Sequence, residues 1–282
     1  MSIAWFQGEF VDGPLAIDPA ERGLLLGDGL FETVAIIGGQ PEFLNAHLSR
    51  LEASAKEVGI SCDVTYVYKA VNVVLARWAE PNGVVRITLT RGSGARGLAL
   101  GGSEPSLLIT VSSFDLALRF QPCTLGLADV VRHSKSPSTR LKTLSYFDNI
   151  IAARQAASHG FDEALMLNEH GAVACASIGN VFVVKGLALK TPKNDQAVLP
   201  GIIRHVIVSK APELGFTVEE GVVTLDDMAN ADGVFLTNSL RILRPVSRFG
   251  SRDYSYDYRG TIAIVAKWWQ DNASDNSVSI LF

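Results

Sequence analysis

The 282-residue chain is predicted to adopt an α+β fold, on three observations. Short apolar and β-branched runs alternate with helical spacings along most of its length. Hairpin signals stand beside βα signals, so the sheet is not a purely parallel, doubly wound one. Hydrophobic residues at 48% against charged residues at 19% supply a sizeable core and exclude a mostly disordered chain.

The elements follow in order. FETVAII, 31–37, reads as a strand that turns at Gly38-Gly39 into Pro41-Glu42-Phe43, a hairpin. Asn45 stands where a helix N-cap is expected; Leu48, Leu51, Ala55 and Val58 then recur at helical spacing, and Gly59 is a natural stop. A second helix is expected over 64–79, closed by Pro81-Asn82-Gly83, and strands over 84–90 and 106–112 flank a glycine-rich connection. The pattern pauses over 114–122, which reads as a linker between a domain at 1–113 and a larger one at 123–282. Beyond it are expected strands at 124–131, 163–168 and 180–184, a helix near 146–158 and another starting near Gly201.

Twenty-five basic against 29 acidic residues give a net charge of -4, which argues against general binding to nucleic acid or an anionic membrane. Cys62, Cys123 and Cys175 are far apart with no CxxC, so neither a disulfide framework nor a zinc site is expected, and the histidines show no metal-ligand spacing. No apolar run approaches a membrane span and the N-terminus lacks the parts of a signal peptide, so the expected location is the cytoplasm.

Several short motifs are weak when taken singly. Gly92-Ser93-Gly94-Ala95-Arg96-Gly97 matches G-x-G-x-x-G, but two glycines and a proline in the following eight residues leave no room for the helix a dinucleotide site needs. A functional loop that places Arg91 and Arg96 fits better. Gly27-Asp28-Gly29 alone is a turn, and His47 and Arg50, three apart on one helix, alone are a solvated polar face. Lys142 lies between Leu141 and Leu144; a lysine in apolar surroundings becomes a nucleophilic amine suited to Schiff-base chemistry, although a lysine at an element boundary is usually only solvated. Leu199-Pro200-Gly201-Ile202-Ile203 suits either plain helix initiation or an anion site built from N-terminal amides. Thr237-Asn238-Ser239 ends a strand as a turn, or adds donors to the same anion.

The order of these motifs is more informative than any one of them. From Gly27-Asp28-Gly29-Leu30-Phe31-Glu32 through Ala46–Leu51, Arg91–Gly97, Leu141–Leu144, Gly179-Asn180-Val181-Phe182 and Leu199–Ile202 to Thr237–Ser239, the chain resembles the class IV aminotransferases. These are the fold type IV enzymes of pyridoxal 5'-phosphate, and the resemblance covers about residues 5 to 250. It implies a small N-terminal α/β domain, a larger C-terminal cofactor-binding domain with a barrel-like sheet, the cofactor lying between the two, and a homodimer. By the same resemblance Lys142 is the Schiff-base lysine and Arg50 binds the phosphate. Gly201, Ile202 and Ile203, with Thr237, Asn238 and Ser239, complete the phosphate cup, and Tyr146 bonds the phenolic oxygen. For a small-molecule amine substrate the candidate contacts are Phe31 and, from its place in the loop, Arg91 or Arg96, whose guanidinium fork suits a substrate carboxylate.

The Arg91–Gly97 loop is most similar to the lyase branch of the family, which converts 4-amino-4-deoxychorismate to 4-aminobenzoate and pyruvate in folate biosynthesis. The alternatives are an aminotransferase of D- or branched-chain amino acids and a diverged cofactor-binding protein. One position departs from the family pattern. Cys175 stands five residues before Asn180, where a glutamate normally keeps the pyridine nitrogen protonated. A neutral thiol holds that proton poorly, which weakens the ring as an electron sink and is expected to harm transamination more than an elimination that forms an aromatic product.

Overall fold

The structure, a computed structural model, describes residues 2–98 and 104–272. They form two compact units, one of 2–116 together with Leu141–Ser145, the other of Ala117–Arg140 and 146–272.

The first unit is a six-stranded antiparallel sheet covered by two helices. Its elements are β1 (Ser2–Phe6), β2 (Glu9–Val11), α1 (Arg22–Leu26), β3 (Gly29–Ile37), β4 (Gln40–Pro41), α2 (Leu44–Val58), α3 (Val64–Arg77), β5 (Gly83–Thr90) and β6 (Ser106–Ser113). The sheet order is β2-β1-β6-β5-β3-β4. Alternation along β3 sends Leu30, Val34 and Ile36 into a core shared with Leu48 and Leu51 of α2 and Val67, Val71 and Val74 of α3. Gly38 and Gly39, both at positive φ, make the tight turn between β3 and β4. The N-cap of α2 is Phe43 at φ 56, without a side-chain cap, and not Asn45, which lies within the first helical turn. Gly59 ends α2 in the left-handed region, as expected. The helix α3 stops at Arg77, because Trp78 turns extended and buries its ring in the core.

Among the described residues no helix follows β5 at the G-x-G-x-x-G segment. Its backbone instead bonds back to 20–22, with Arg22 N donating to Gly92 O and Gly94 N to Ala20 O. A Cβ on Gly92 would lie 1.9 Å from Glu104 O, so that glycine serves a close crossing of two chains.

The second unit carries β7 (Cys123–Arg132), α4 (Pro137–Arg140), α5 (Phe147–Ser158), β8 (Glu163–Asn168), β9 (Val173–Ala176), β10 (Asn180–Lys185), β11 (Ala188–Pro192), α6 (Ile202–Lys210), β12 (Thr217–Gly221), α7 (Leu225–Ala229), β13 (Gly233–Asn238), β14 (Ile242–Phe249), β15 (Arg252–Asp253) and α8 (Arg259–Asn272). The sheet runs β12-β11-β10-β13-β14-β7-β8-β9, with β15 paired to β14, and is the curled half-barrel that the resemblance implies. The parallel pair β7–β8 is bridged by α5, which packs its Ala152 and Ala156 against Ala164 and Met166. No described helix is long and apolar enough to cross a membrane.

The segment Leu141–Ser145 groups with the first unit and so departs from the expected boundary at 123. It is stitched to β3: Phe31 N donates to Lys142 O at 2.9 Å, Leu144 N donates to Gly29 O at 2.9 Å, and Leu30 and Thr143 form an antiparallel bridge. Hydrogen bonds between segments more than a hundred residues apart leave no local signal in the sequence.

Candidate active site

In the first unit, the GDG turn holds the Lys142 segment. A Cβ on Gly29 would lie 2.8 Å from both Leu89 O and Leu144 Cδ1, and one on Gly27 (φ 66) 2.9 Å from Ser145 Oγ. Only glycine allows this approach. Asp28 between them accepts from Arg22 Nε at 2.9 Å and Arg91 Nε at 2.8 Å. Burial alone would raise its pKa, but the two arginines outweigh that and hold the carboxyl below its usual range.

Lys142 and Phe31 lie side by side on the face of β3 opposite the helices. The Lys142 Nζ stands 4.3 Å from the Phe31 ring centroid. Arg86, on β5, places its guanidinium carbon 3.8 Å from the same centroid. The ring therefore carries an amine and a guanidinium together. Arg86 was not expected from the sequence; it sits at an ordinary exposed position of an alternating strand, and the register Thr33↔Arg86 is what brings it beside Phe31.

Of the two loop arginines, Arg91 is committed elsewhere. Besides Asp28, it donates Nη1 to Gly59 O at 2.7 Å and Nη2 to Val58 O at 2.8 Å, which ties the loop to the end of α2. Arg96 is exposed and makes no such tie among the described contacts.

On the helix side of the same sheet lies a buried ionic cluster. Glu32 (β3) is 1% exposed, His47 1% and Arg50 6%, so the expectation of a solvated face for His47 and Arg50 does not hold. Arg50 donates Nε to Glu32 Oε1 at 2.8 Å and Nη2 to Oε2 at 2.6 Å, a two-point fork. His47 Nδ1 is 2.7 Å from the same Oε2. Burial would raise the Glu32 pKa, yet the charge and bonds of Arg50 and the bond from His47 bring it down to about 2. Burial pushes the His47 pKa down, only partly offset by Glu32, so the imidazole is neutral near pH 7 and donates through Nδ1–H. Its Nε2 is then a buried acceptor with no partner among the described residues.

The second unit places the other expected residues. Ile202 and Ile203 open α6, whose N-cap Gly201 provides no side-chain cap, so the first amides of the helix are not covered by a side chain. A Cβ on Gly201 would fall 1.9 Å from Asn180 Oδ1, while Asn180 Nδ2 donates to Leu199 O at 2.9 Å. Asn180 thus clasps the entry to α6. Its register partner on β13 is Thr237, on the same face of the sheet. Thr237 is 2% exposed and its Oγ1 has no hydrogen-bond partner among the described residues. Uncapped amides on a nine-residue helix and an orphaned buried hydroxyl, both tied to Asn180, are a donor set that fits the phosphate of pyridoxal phosphate. Asn238 does a different job: its Oδ1 accepts from Leu240 N at 3.0 Å and Arg241 N at 2.8 Å, the turn reading of that segment. Ser239 lies in the same turn, half-buried.

Tyr146 is the N-cap residue of α5, half-buried. Cys175, at the centre of β9, is 7% exposed; burial pushes its thiol up, and the opposing charge acting on it is that of Arg132. Position 175 therefore carries a neutral thiol near pH 7. Arg132, also missed from the sequence, braces this region from within: Nε donates to Ala197 O at 3.1 Å, Nη1 to Asn149 Oδ1 at 3.2 Å and Nη2 to Thr139 O at 3.0 Å. It ties α4 and α5 to the chain that leads into α6. No cluster of metal-ligating side chains occurs among the described residues.

Comparison with known proteins identifies the family. The family model for class IV amino-transferases matches residues 29–249. A Methanocaldococcus jannaschii protein provisionally named a branched-chain-amino-acid aminotransferase is 33% identical over 88% of this chain and 88% of its own length. The aminodeoxychorismate lyase of Bacillus subtilis is 29% identical over 89% of this chain and 88% of its own. The crystal structure of 4-amino-4-deoxychorismate lyase from Pseudomonas aeruginosa superposes with a TM-score of 0.84 at 25% identity, covering 95% of this chain and 98% of that one. The chain belongs to the class IV aminotransferase family, whose members are pyridoxal 5'-phosphate enzymes.

Proposed function

We propose that this enzyme is a lyase that converts 4-amino-4-deoxychorismate to 4-aminobenzoate and pyruvate. The observation that carries the reading is the buried thiol of Cys175 on β9, which burial keeps neutral and on which the acting charge is that of Arg132. Bound pyridoxal phosphate supplies an aldehyde that condenses with amines and a conjugated ring that draws electrons from the adjoining carbon. Arg50, the opening amides of α6 and the Thr237 hydroxyl are the groups that would hold its phosphate, and Tyr146 the one that would bond its phenolic oxygen. Lys142 is the residue that would hold the aldehyde carbon and would give up that place to the substrate amine. Its freed Nζ then takes the proton from the amine-bearing carbon of the substrate and returns one to the methylene carbon of the departing enolpyruvyl group, which leaves as pyruvate. The substrate has two carboxylates; Arg86 and Arg96 are the guanidinium groups proposed to receive them, since Arg91 is engaged by Asp28 and the end of α2. Phe31 supports the reacting amine with its ring.

A protonated ring nitrogen matters most where a carbanion must persist long enough to be reprotonated on the cofactor, as in transamination. Loss of pyruvate from aminodeoxychorismate makes an aromatic ring, and that stability assists the step. A thiol at position 175 therefore favours the lyase. The second reading is an aminotransferase of branched-chain or D-amino acids, favoured by the 33% identity to the archaeal protein. Purified protein given aminodeoxychorismate is expected to release 4-aminobenzoate and pyruvate in equal amounts. Rapid amino transfer from several amino acids to 2-oxoglutarate without 4-aminobenzoate would reverse the assignment. The Schiff-base absorbance at about 420 nm is expected to vanish in Lys142→Ala; its persistence would remove Lys142 from the role.

The proposed enzyme works as a homodimer in the cytoplasm. The run Leu24, Leu25 and Leu26 on α1, exposed at 65%, 62% and 47%, is apolar surface of the kind an oligomer covers. Light scattering on the purified protein tests the dimer.

A further inference from the structure

We propose that Glu32 is a positioning residue for phosphate binding, fixing the Arg50 guanidinium in one orientation before the cofactor arrives. The proposal rests on the reading of Arg50 as a phosphate ligand.

Three observations carry it. The fork is two-point, with Nε on Oε1 at 2.8 Å and Nη2 on Oε2 at 2.6 Å, so the guanidinium plane cannot turn about its stem without breaking a bond. The carboxylate comes from a strand and the guanidinium from a helix, both inside one packed core, so neither end of the fork is free to drift. His47 Nδ1, 2.7 Å from Oε2, completes the carboxylate from a third direction without adding a charge. All three residues are at most 6% exposed, so solvent cannot substitute for any of their side chains.

The arrangement has a cost that points to its purpose. A carboxylate next to an arginine that must bind a dianion repels that dianion. If the site needed only positive charge, it would be better without Glu32. Without this two-point fork, however, the long arginine side chain would have more rotamers open to it. Glu32 gives the Arg50 guanidinium one fixed direction. Charge alone and positioning thus predict opposite signs for removal of Glu32.

The test measures binding of pyridoxal phosphate and of pyridoxal, which lacks the phosphate, to the full-length chain stripped of cofactor, read by Schiff-base absorbance. Glu32→Gln is expected to weaken pyridoxal phosphate about tenfold or more, the usual scale for losing a residue that orients a ligand group. Pyridoxal is expected to change by less than about twofold, and Glu32→Asp to recover part of the loss. In an Arg50→Gln background, Glu32→Gln is expected to add nothing, since its effect passes through Arg50. The proposal is overturned if Glu32→Gln binds pyridoxal phosphate as tightly as the parent or more tightly, as charge alone predicts. It is equally overturned if both ligands weaken together, which marks a general structural role. An Arg50→Gln protein with unchanged pyridoxal phosphate affinity overturns the phosphate reading itself and the proposal with it. If Glu32→Gln does not fold, Glu32→Asp carries the same comparison, with a loss for pyridoxal phosphate alone as the expected result and no selective loss as the overturning one.

Discussion

Acid is expected to destabilise the parent protein by a route that Glu32→Gln lacks. The Glu32 carboxyl has an ordinary pKa of 4.5 and, in the fold, one of about 2; burial pushes it up, but Arg50 and His47 push it down further. As the pH falls through 4.5 the unfolded chain takes up a proton that the folded chain refuses until about 2. The stabilisation is therefore complete above 4.5 and is lost as the pH falls toward 2. At about 1.4 kcal/mol per pH unit, that interval corresponds to about 3 kcal/mol, with about two-thirds of it gone by roughly pH 3. Glu32 is only 1% exposed, so solvent screening calls for no discount. His47 acts with the same sign from a higher starting point: its folded pKa lies below 6.5, so the unfolded chain protonates first and stability begins to fall there. Urea midpoints of the parent and Glu32→Gln, measured from neutral pH down to about 3, provide the assay. The expected result is a stability difference of about 3 to 5 kcal/mol near neutrality, the scale for breaking a buried ion pair, narrowing steadily below the ordinary glutamate pKa. A difference that stays constant across that range would refute the claim that the native carboxylate is held ionised by Arg50 and His47.

Other substitutions test the remaining geometry. Gly29→Ala brings a Cβ to 2.8 Å from Leu89 O and Leu144 Cδ1, and is expected to cost about 1–3 kcal/mol and to reduce the Lys142 Schiff-base absorbance, read by urea melts and spectra. Gly201→Ala meets Asn180 Oδ1 at 1.9 Å and is expected to weaken pyridoxal phosphate more than pyridoxal, because it disturbs the entry to α6. Cys175→Glu is expected to raise amino transfer relative to 4-aminobenzoate release, measured as a ratio of initial rates; an unchanged ratio removes the thiol from the choice of reaction. Arg244→Met strips Glu163 of a 2.9 Å ion pair, leaving Ser177 as its hydrogen-bond partner among the described residues, and is expected to lower stability by about 3–5 kcal/mol, seen as a fall in Tm.

The features legible in the sequence are those with a local cause. The hairpin at Gly38-Gly39, the stop of α2 at Gly59 and the start of α6 after Pro200-Gly201 each depend on backbone preferences of adjacent residues, and each stands where those preferences put it. The strand β9 has four residues, all buried, too short to show a period, and it entered the reading only through the expected glutamate position. Features created by strand register were invisible. Nothing near Arg86 marks it, yet pairing of β3 with β5 sets it over Phe31, and the bonds from 29–31 to 142–144 set Lys142 there as well. The polar pair His47 and Arg50 looked like a solvated face because Glu32, their partner, lies on another element, and a helical spacing carries no information about what a strand presents to it. The apolar neighbours of Glu32 at positions 30, 34 and 36 did contain a clue: a lone acid in the inward register of a strand must be ionised against a buried partner or neutralised. The basic residues able to meet it are those on the covering helix that share its buried stripe, and α2 presents only His47 and Arg50 there. An acid at an inward strand position, followed by a helix whose inward face carries an arginine, is thus a sequence-level sign of a preset guanidinium.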